Sequence, residues 1–171
     1  MSTTEELLEN NRRYAGSFDK GDLPMPPSRR VAIVACMDAR LDVYTMLGFE
    51  EGEAHVIRNA GGVVTDDVLR SLLISQRLLG TREIILIHHT DCGMLTFRDD
   101  DVKRDVYEEA GVRPPFALEA FDDPAEDVRQ SIARIEGNPF VPYKQRIRGF
   151  VFDVKTGRLL EVASKETAAA V

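Results

Sequence analysis

The sequence predicts an α/β fold built on a mainly parallel sheet of order 2-1-3-4, with an antiparallel C-terminal strand and helices on its flanks. Three observations predict it. Residues 31–36 and 83–89 are short, apolar, β-branched runs, which suits strands buried on both faces, and 54–58 reads as a further strand. Segments of helical periodicity lie between them, so each crossover can return to a parallel neighbour. Two last strand-like runs, 148–154 and 158–162, are joined by Lys155-Thr156-Gly157, the spacing of a hairpin.

Taken in order, residues 4–18 form an amphipathic helix, with Leu7, Leu8, Tyr14 and Phe18 on one stripe and Thr4 as the cap. Residues 21–28 carry Pro24, Pro26 and Pro27 and must be a linker, because proline lacks the amide that continues a helix. The first helix is therefore detached, and either packs back on its own domain or embraces a partner subunit. A short helix over 41–47 stops at Gly48. Thr65 or Asp66 caps a helix that runs to Leu79, with Val68, Leu69, Leu72 and Leu73 inward and Gly80 at its end.

The charged stretch 98–123 holds Pro114-Pro115 and reads as a helix fragment followed by a mobile loop. Residues 124–135 make another amphipathic helix, with proline in its first turn. The organisation expected is an N-terminal helical arm and linker (1–28), one α/β domain (29–163) and a disordered tail (164–171).

Composition narrows the function. A chain of 171 residues, 43% hydrophobic and 30% charged, can bury a core without disulfide support. Its net charge of −7 argues against nucleic acid and anionic membrane surfaces as partners. No apolar run approaches the ~20 residues that span a bilayer. The acidic N-terminus lacks the basic start and apolar middle of a signal peptide, so a cytoplasmic location is expected.

Soft metal ligands are few: Cys36 and Cys92, and His55, His88 and His89. Cys36 ends the first strand, while His89 and Cys92 end the third. In the order 2-1-3 those strands are neighbours at the point where the strand order reverses, and ligands of open α/β sheets bind there. Two thiols and one imidazole satisfy the three-ligand count of a catalytic zinc site; inert core thiols are the plainer reading. A structural zinc site would need His88 or His55 as a fourth ligand. His88 points to the opposite face of its strand and suits a core or interface role, and His55 suits a structural one. No G-x-G-x-x-G or C-x-x-C is present, which counts against nucleotide-dependent and dithiol redox chemistry.

The segments Cys36-Met-Asp38-Ala-Arg40, Arg58-Asn-Ala-Gly-Gly62 and His89-Thr-Asp91-Cys92-Gly93 together resemble the β-class carbonic anhydrases. The likeness is to the small branch found in archaea and actinobacteria, and it covers roughly residues 30–162. The resemblance implies one zinc ion per chain on Cys36, His89 and Cys92. It also implies a catalytic Asp38–Arg40 dyad, with Asp38 as a conditional fourth ligand. The activity implied is reversible hydration of carbon dioxide to bicarbonate and a proton. The assembly implied is a homodimer, or a higher homo-oligomer, whose N-terminal helices cross onto the partner. The backbone amide of Gly93 is a further candidate donor to a substrate oxygen. Ala39 departs from the usual serine, and without tryptophan the Trp-containing inhibitory bicarbonate site of some bacterial members has no counterpart. Hydrolysis of carbon disulfide or carbonyl sulfide on the same scaffold, or a non-catalytic zinc-binding module, are the alternatives.

Overall fold

A computed structural model describes residues 2–162. Its ten main elements are α1 (Thr3–Ala15), β1 (Val31–Cys36), α2 (Val43–Leu47), β2 (Ala54–Asn59), α3 (Asp66–Arg77), β3 (Glu83–His89), α4 (Asp99–Ala110), α5 (Pro124–Gly137), β4 (Ile147–Phe152) and β5 (Leu159–Val162). One sheet has the order β2-β1-β3-β4-β5, parallel throughout except for the β4–β5 pair. This is the architecture the sequence predicts.

Every residue of β1 is buried, which is why it carries no polar alternation. Ala32 and Val34 face one layer with Val68 and Leu72 of α3 and Val128 and Ile132 of α5. Val31, Ile33 and Ala35 face the other with Leu41, Val43, Cys92 and Met94. Helix α5 lies so close to β4 that a Cβ at Gly149 would collide with the Val128 side chain, so only glycine fits there.

Several boundaries move. Helix α1 starts one residue earlier than expected because Ser2, not Thr4, is its cap, in a reciprocal capping box with Glu5. Leu41 is not helical; it is a buried anchor before α2, whose cap is Asp42. Of the two candidate caps for α3, Thr65 is the one used, and the helix ends at Arg77 rather than Leu79.

The largest correction concerns 98–123. Helix α4 is a full 12 residues, closed by Gly111 in the left-handed conformation. The loop behind it is pinned rather than loose. The Asp99 carboxylate accepts amide hydrogens from Leu118, Glu119 and Ala120 at 2.7, 3.2 and 3.0 Å. Glu119, at φ +63°, turns its amide into that cluster, and the charge of the carboxylate stabilises the turn. The tail expected to be disordered, 164–171, lies outside the described residues.

Candidate metal centre

The two central strands end side by side. Cys36 closes β1 and His89 closes β3, while Cys92 follows one turn later. Their ligand atoms lie within 4.8 Å of one another, and all three residues are buried. The two sulfur atoms are 4.0 Å apart. Alternation along β3 separates the paired histidines: His88 faces α5, where its Nε2 meets Asp127 Oδ2 at 2.6 Å, and His89 faces the cysteines. His55 is remote from the centre and bonds Ser75 Oγ through Nδ1 at 2.8 Å, a structural role.

Local backbone geometry prepares this cluster. His89 Nδ1 lies 2.9 Å from the Thr90 carbonyl, so Nδ1 carries the hydrogen and Nε2 presents a lone pair. That Nε2 is buried and has no hydrogen-bond partner. A buried lone pair without a partner is costly unless something electrophilic occupies the space in front of it. Two thiols, one bare imidazole nitrogen and a backbone carbonyl fixing the tautomer form a donor set that fits zinc. Thr90 ties the loop to the sheet, donating its amide to Phe152 O at 2.9 Å and accepting the Val154 amide on Oγ1 at 3.1 Å.

The thiols differ. Burial pushes both up; at Cys36 the adjoining His89 ring and the backbone amides near Asp38 and Gly61 reverse this and bring it to about 7. At Cys92 burial prevails, and the thiol stands at about 11. Burial works against a charged His89, but the nearby Cys36 sulfur and the Thr90 carbonyl raise its pKa on balance.

Asp38 and Arg40 sit at the mouth of the cluster. Arg40 donates Nε to Asp38 Oδ1 at 2.9 Å and Nη2 to Asp38 Oδ2 at 2.8 Å, a bidentate pair. The Arg40 side chain and backbone amide hold the Asp38 carboxyl far below the usual carboxylate range. Asp38 Oδ2 lies 3.7 Å from His89 Nε2, beside the open lone pair. Oδ1 accepts from both the Arg40 amide and Nε, whereas Oδ2 accepts one Arg40 bond and keeps a lone pair toward the cluster. Gly93 is exposed and has no heavy atom packed where a Cβ would stand.

Two supporting residues were not assigned roles from the sequence. Arg58 donates Nε to the Cys36 carbonyl at 3.0 Å and Nη2 to the Asp38 carbonyl at 2.7 Å, and so holds the segment between ligand and dyad. Gly62, at φ +73°, lies against the ends of β1 and β3, and a Cβ there would come within 2.8 Å of the Cys36 amide nitrogen. The motif Arg58-Asn-Ala-Gly-Gly62, at the end of the edge strand β2, contains both.

Fold and site together define a class: an α/β chain with a Cys2His centre at the switch point of its sheet. Comparison makes it specific. A family described as carbonic anhydrase matches residues 31–112. Beta-carbonic anhydrase 1 of Mycobacterium tuberculosis is 68% identical over 162 residues, covering 95% of this chain and 99% of that protein. A carbon disulfide hydrolase of Acidithiobacillus thiooxidans is 32% identical, covering 93% and 90%. Among solved structures, a carbonic anhydrase from Streptococcus mutans superposes with a TM-score of 0.89 at 43% identity, covering 95% of this chain and 99% of its own. The chain belongs to the β-carbonic anhydrase family, of the actinobacterial type.

Proposed function

We propose that this chain catalyses the reversible hydration of carbon dioxide to bicarbonate and a proton, with one zinc ion held by Cys36, His89 and Cys92. The observation that carries this reading is the bare, buried Nε2 of His89 facing two thiols, with an ionised carboxylate 3.7 Å away. When bound, zinc supplies the Lewis acidity that makes water nucleophilic near neutral pH.

The protein's own groups do the rest. Cys36, lowered by the His89 ring and backbone amides, gives up its proton more readily than Cys92, which burial raises and which is deprotonated with the help of an arriving cation's charge. Binding is therefore tighter at higher pH. Asp38, kept ionised by Arg40, is an acceptor only. Its Oδ2 takes a hydrogen bond from the attacking water and aims the water's lone pair at carbon dioxide. The amide of Gly93, an exposed residue, is the donor we assign to a substrate oxygen.

Residues 29–163 form the catalytic unit in this proposal, and residues 1–28 an arm that crosses onto a second copy to make a homodimer. No helix among the described residues is long and apolar enough to cross a membrane, and we place the enzyme in the cytoplasm. The 32% identity to carbon disulfide hydrolases favours a second reading, hydrolysis of carbon disulfide or carbonyl sulfide by the same ligands. Stopped-flow assays of zinc-loaded protein on carbon dioxide and carbon disulfide side by side decide between them. Rapid hydration of carbon dioxide with little release of hydrogen sulfide is expected; the reverse pattern would exchange the two readings.

A further inference from the structure

Arg40 does more than hold Asp38. Its Nη1 donates to Asp91 Oδ2 at 2.8 Å, and its Nη2 also donates to the Asp91 backbone carbonyl at 2.9 Å. The guanidinium thus spans two separate segments: the turn after Cys36, and the loop between His89 and Cys92. Asp91 stands at φ +55°, in the left-handed region that aspartate, asparagine and glycine tolerate best. That conformation goes with a loop that offers both the carboxylate and the carbonyl of one residue to Arg40.

The contact is poorly suited to stabilising the fold. The Asp91 side chain is 75% exposed and that of Arg40 47%, and ion pairs this wet contribute little to stability. Its effect is on direction. A long arginine side chain anchored at one end only has many rotamers open to it, and in most of them the guanidinium bonds to Asp38 are lost, leaving the carboxylate held by the Arg40 amide on Oδ1 alone. Anchored on Asp91 as well, the guanidinium keeps one pose, and Asp38, with a side chain 18% exposed, keeps its two guanidinium bonds in addition to that from the Arg40 amide.

We propose that Asp91 is a positioning residue for the reaction: it clamps Arg40, and through Arg40 fixes the Asp38 carboxylate. The inference rests on the role given to Asp38 above. It also separates two functions of residue 91, backbone conformation and side-chain acceptor, which different substitutions remove. Asp91→Gly keeps the left-handed backbone and loses the acceptor. Asp91→Asn keeps both the backbone preference and a neutral acceptor oxygen.

The test uses the zinc-loaded full chain and three readouts: kcat/KM for carbon dioxide hydration, melting temperature, and the nitrogen-15 signal of the Arg40 Nε–H, assigned by its loss in Arg40→Lys. Asp91→Gly is expected to lower kcat/KM by about three- to tenfold, the scale of one lost charge-assisted contact. It should speed hydrogen exchange at Arg40 Nε–H and leave the melting temperature within about 2 °C, as befits so exposed a pair. Asp91→Asn should restore most of the kcat/KM and most of the protection. Unchanged kcat/KM and unchanged Arg40 exchange in Asp91→Gly would overturn the proposal, as would failure of Asp91→Asn to restore either. If the Arg40 signal responds as expected but the wild type hydrates no carbon dioxide, the clamp stands and the assigned reaction is what falls.

Discussion

The metal centre and the N-terminal helix are built in opposite ways. Around the centre, side chains from β1, β2, β3 and the loop after β3 brace one another, and Cys36, His89 and Cys92 are all buried. Helix α1 has no buried residue at all. Its own signals are strong: Ser2 and Glu5 cap each other, and Arg12 pairs with Glu9 at 2.7 Å. Yet Leu7, Leu8, Tyr14 and Phe18 are each about half exposed, and so short a helix is marginal in water without packing. Its ties to the domain are few and polar: Tyr14 and Lys20 reach the Glu51 carboxylate, Lys20 at 2.5 Å, and the linker amide of Ser28 donates to the Gly52 carbonyl at 3.0 Å. The three candidate ligands are gathered and buried within one chain. The apolar stripe of the arm is left half exposed.

The comparison is broken most severely at the ligands. Cys36→Ala, His89→Ala or Cys92→Ala should each remove zinc and activity together, with hydration falling at least about a thousandfold as the metal-dependent nucleophile is lost. Metal analysis of purified variants checks this, and one zinc per chain retained in Cys92→Ala would contradict the ligand set. Asp38→Ala sharpens it: turnover should fall by about a hundredfold or more, the range of positioned acid–base groups, while zinc stays bound.

Deleting residues 1–22 tests the other side. It should dissociate the assembly, because each large apolar side chain fully buried on a partner contributes about 1.5–3 kcal/mol. The zinc content should be unaffected. Sedimentation velocity reads the first effect, and an unchanged sedimentation coefficient would show that the helix covers no neighbour.

The smallest effect is expected at Asp99, which braces the loop behind α4 rather than the metal centre. Its amide cluster keeps its carboxyl below the ordinary aspartate value despite some burial. A carboxylate with a depressed folded-state pKa adds stability above its unfolded value, about 4, and that stability is lost as pH falls through the lower folded value. Asp99→Asn should therefore melt a few degrees lower at pH 7, about 1–2 kcal/mol, and the gap should close toward pH 2. A gap that is constant with pH would mean that the carboxylate charge is not what holds residues 118–120.

What was legible in the sequence follows from the same contrast. The β-branched runs, the caps and the His-x-x-Cys spacing are local, so β1, β3 and the three candidate ligands could be placed from residues close along the chain. The fixing of Arg40 by Asp91 joins positions 51 apart, and that of the Cys36 carbonyl by Arg58 joins positions 22 apart. No periodicity encodes such contacts. The loop 111–123 was misread for a related reason: its prolines suggest looseness, while the carboxylate that holds it belongs to the first turn of α4. For α1, the amphipathic stripe was plain, but what it covers is not written in this chain's own contacts.

The central claim is that Cys36, His89 and Cys92 hold the ion on which carbon dioxide hydration depends. Titrating metal-free protein with zinc while following stopped-flow hydration tests it most directly. Activity should rise in proportion to bound zinc and level off at one ion per chain, and Cys92→Ala should show neither the binding nor the rise. Fully loaded protein that hydrates no carbon dioxide at neutral or alkaline pH, or activity that saturates equally well in Cys92→Ala, would contradict it.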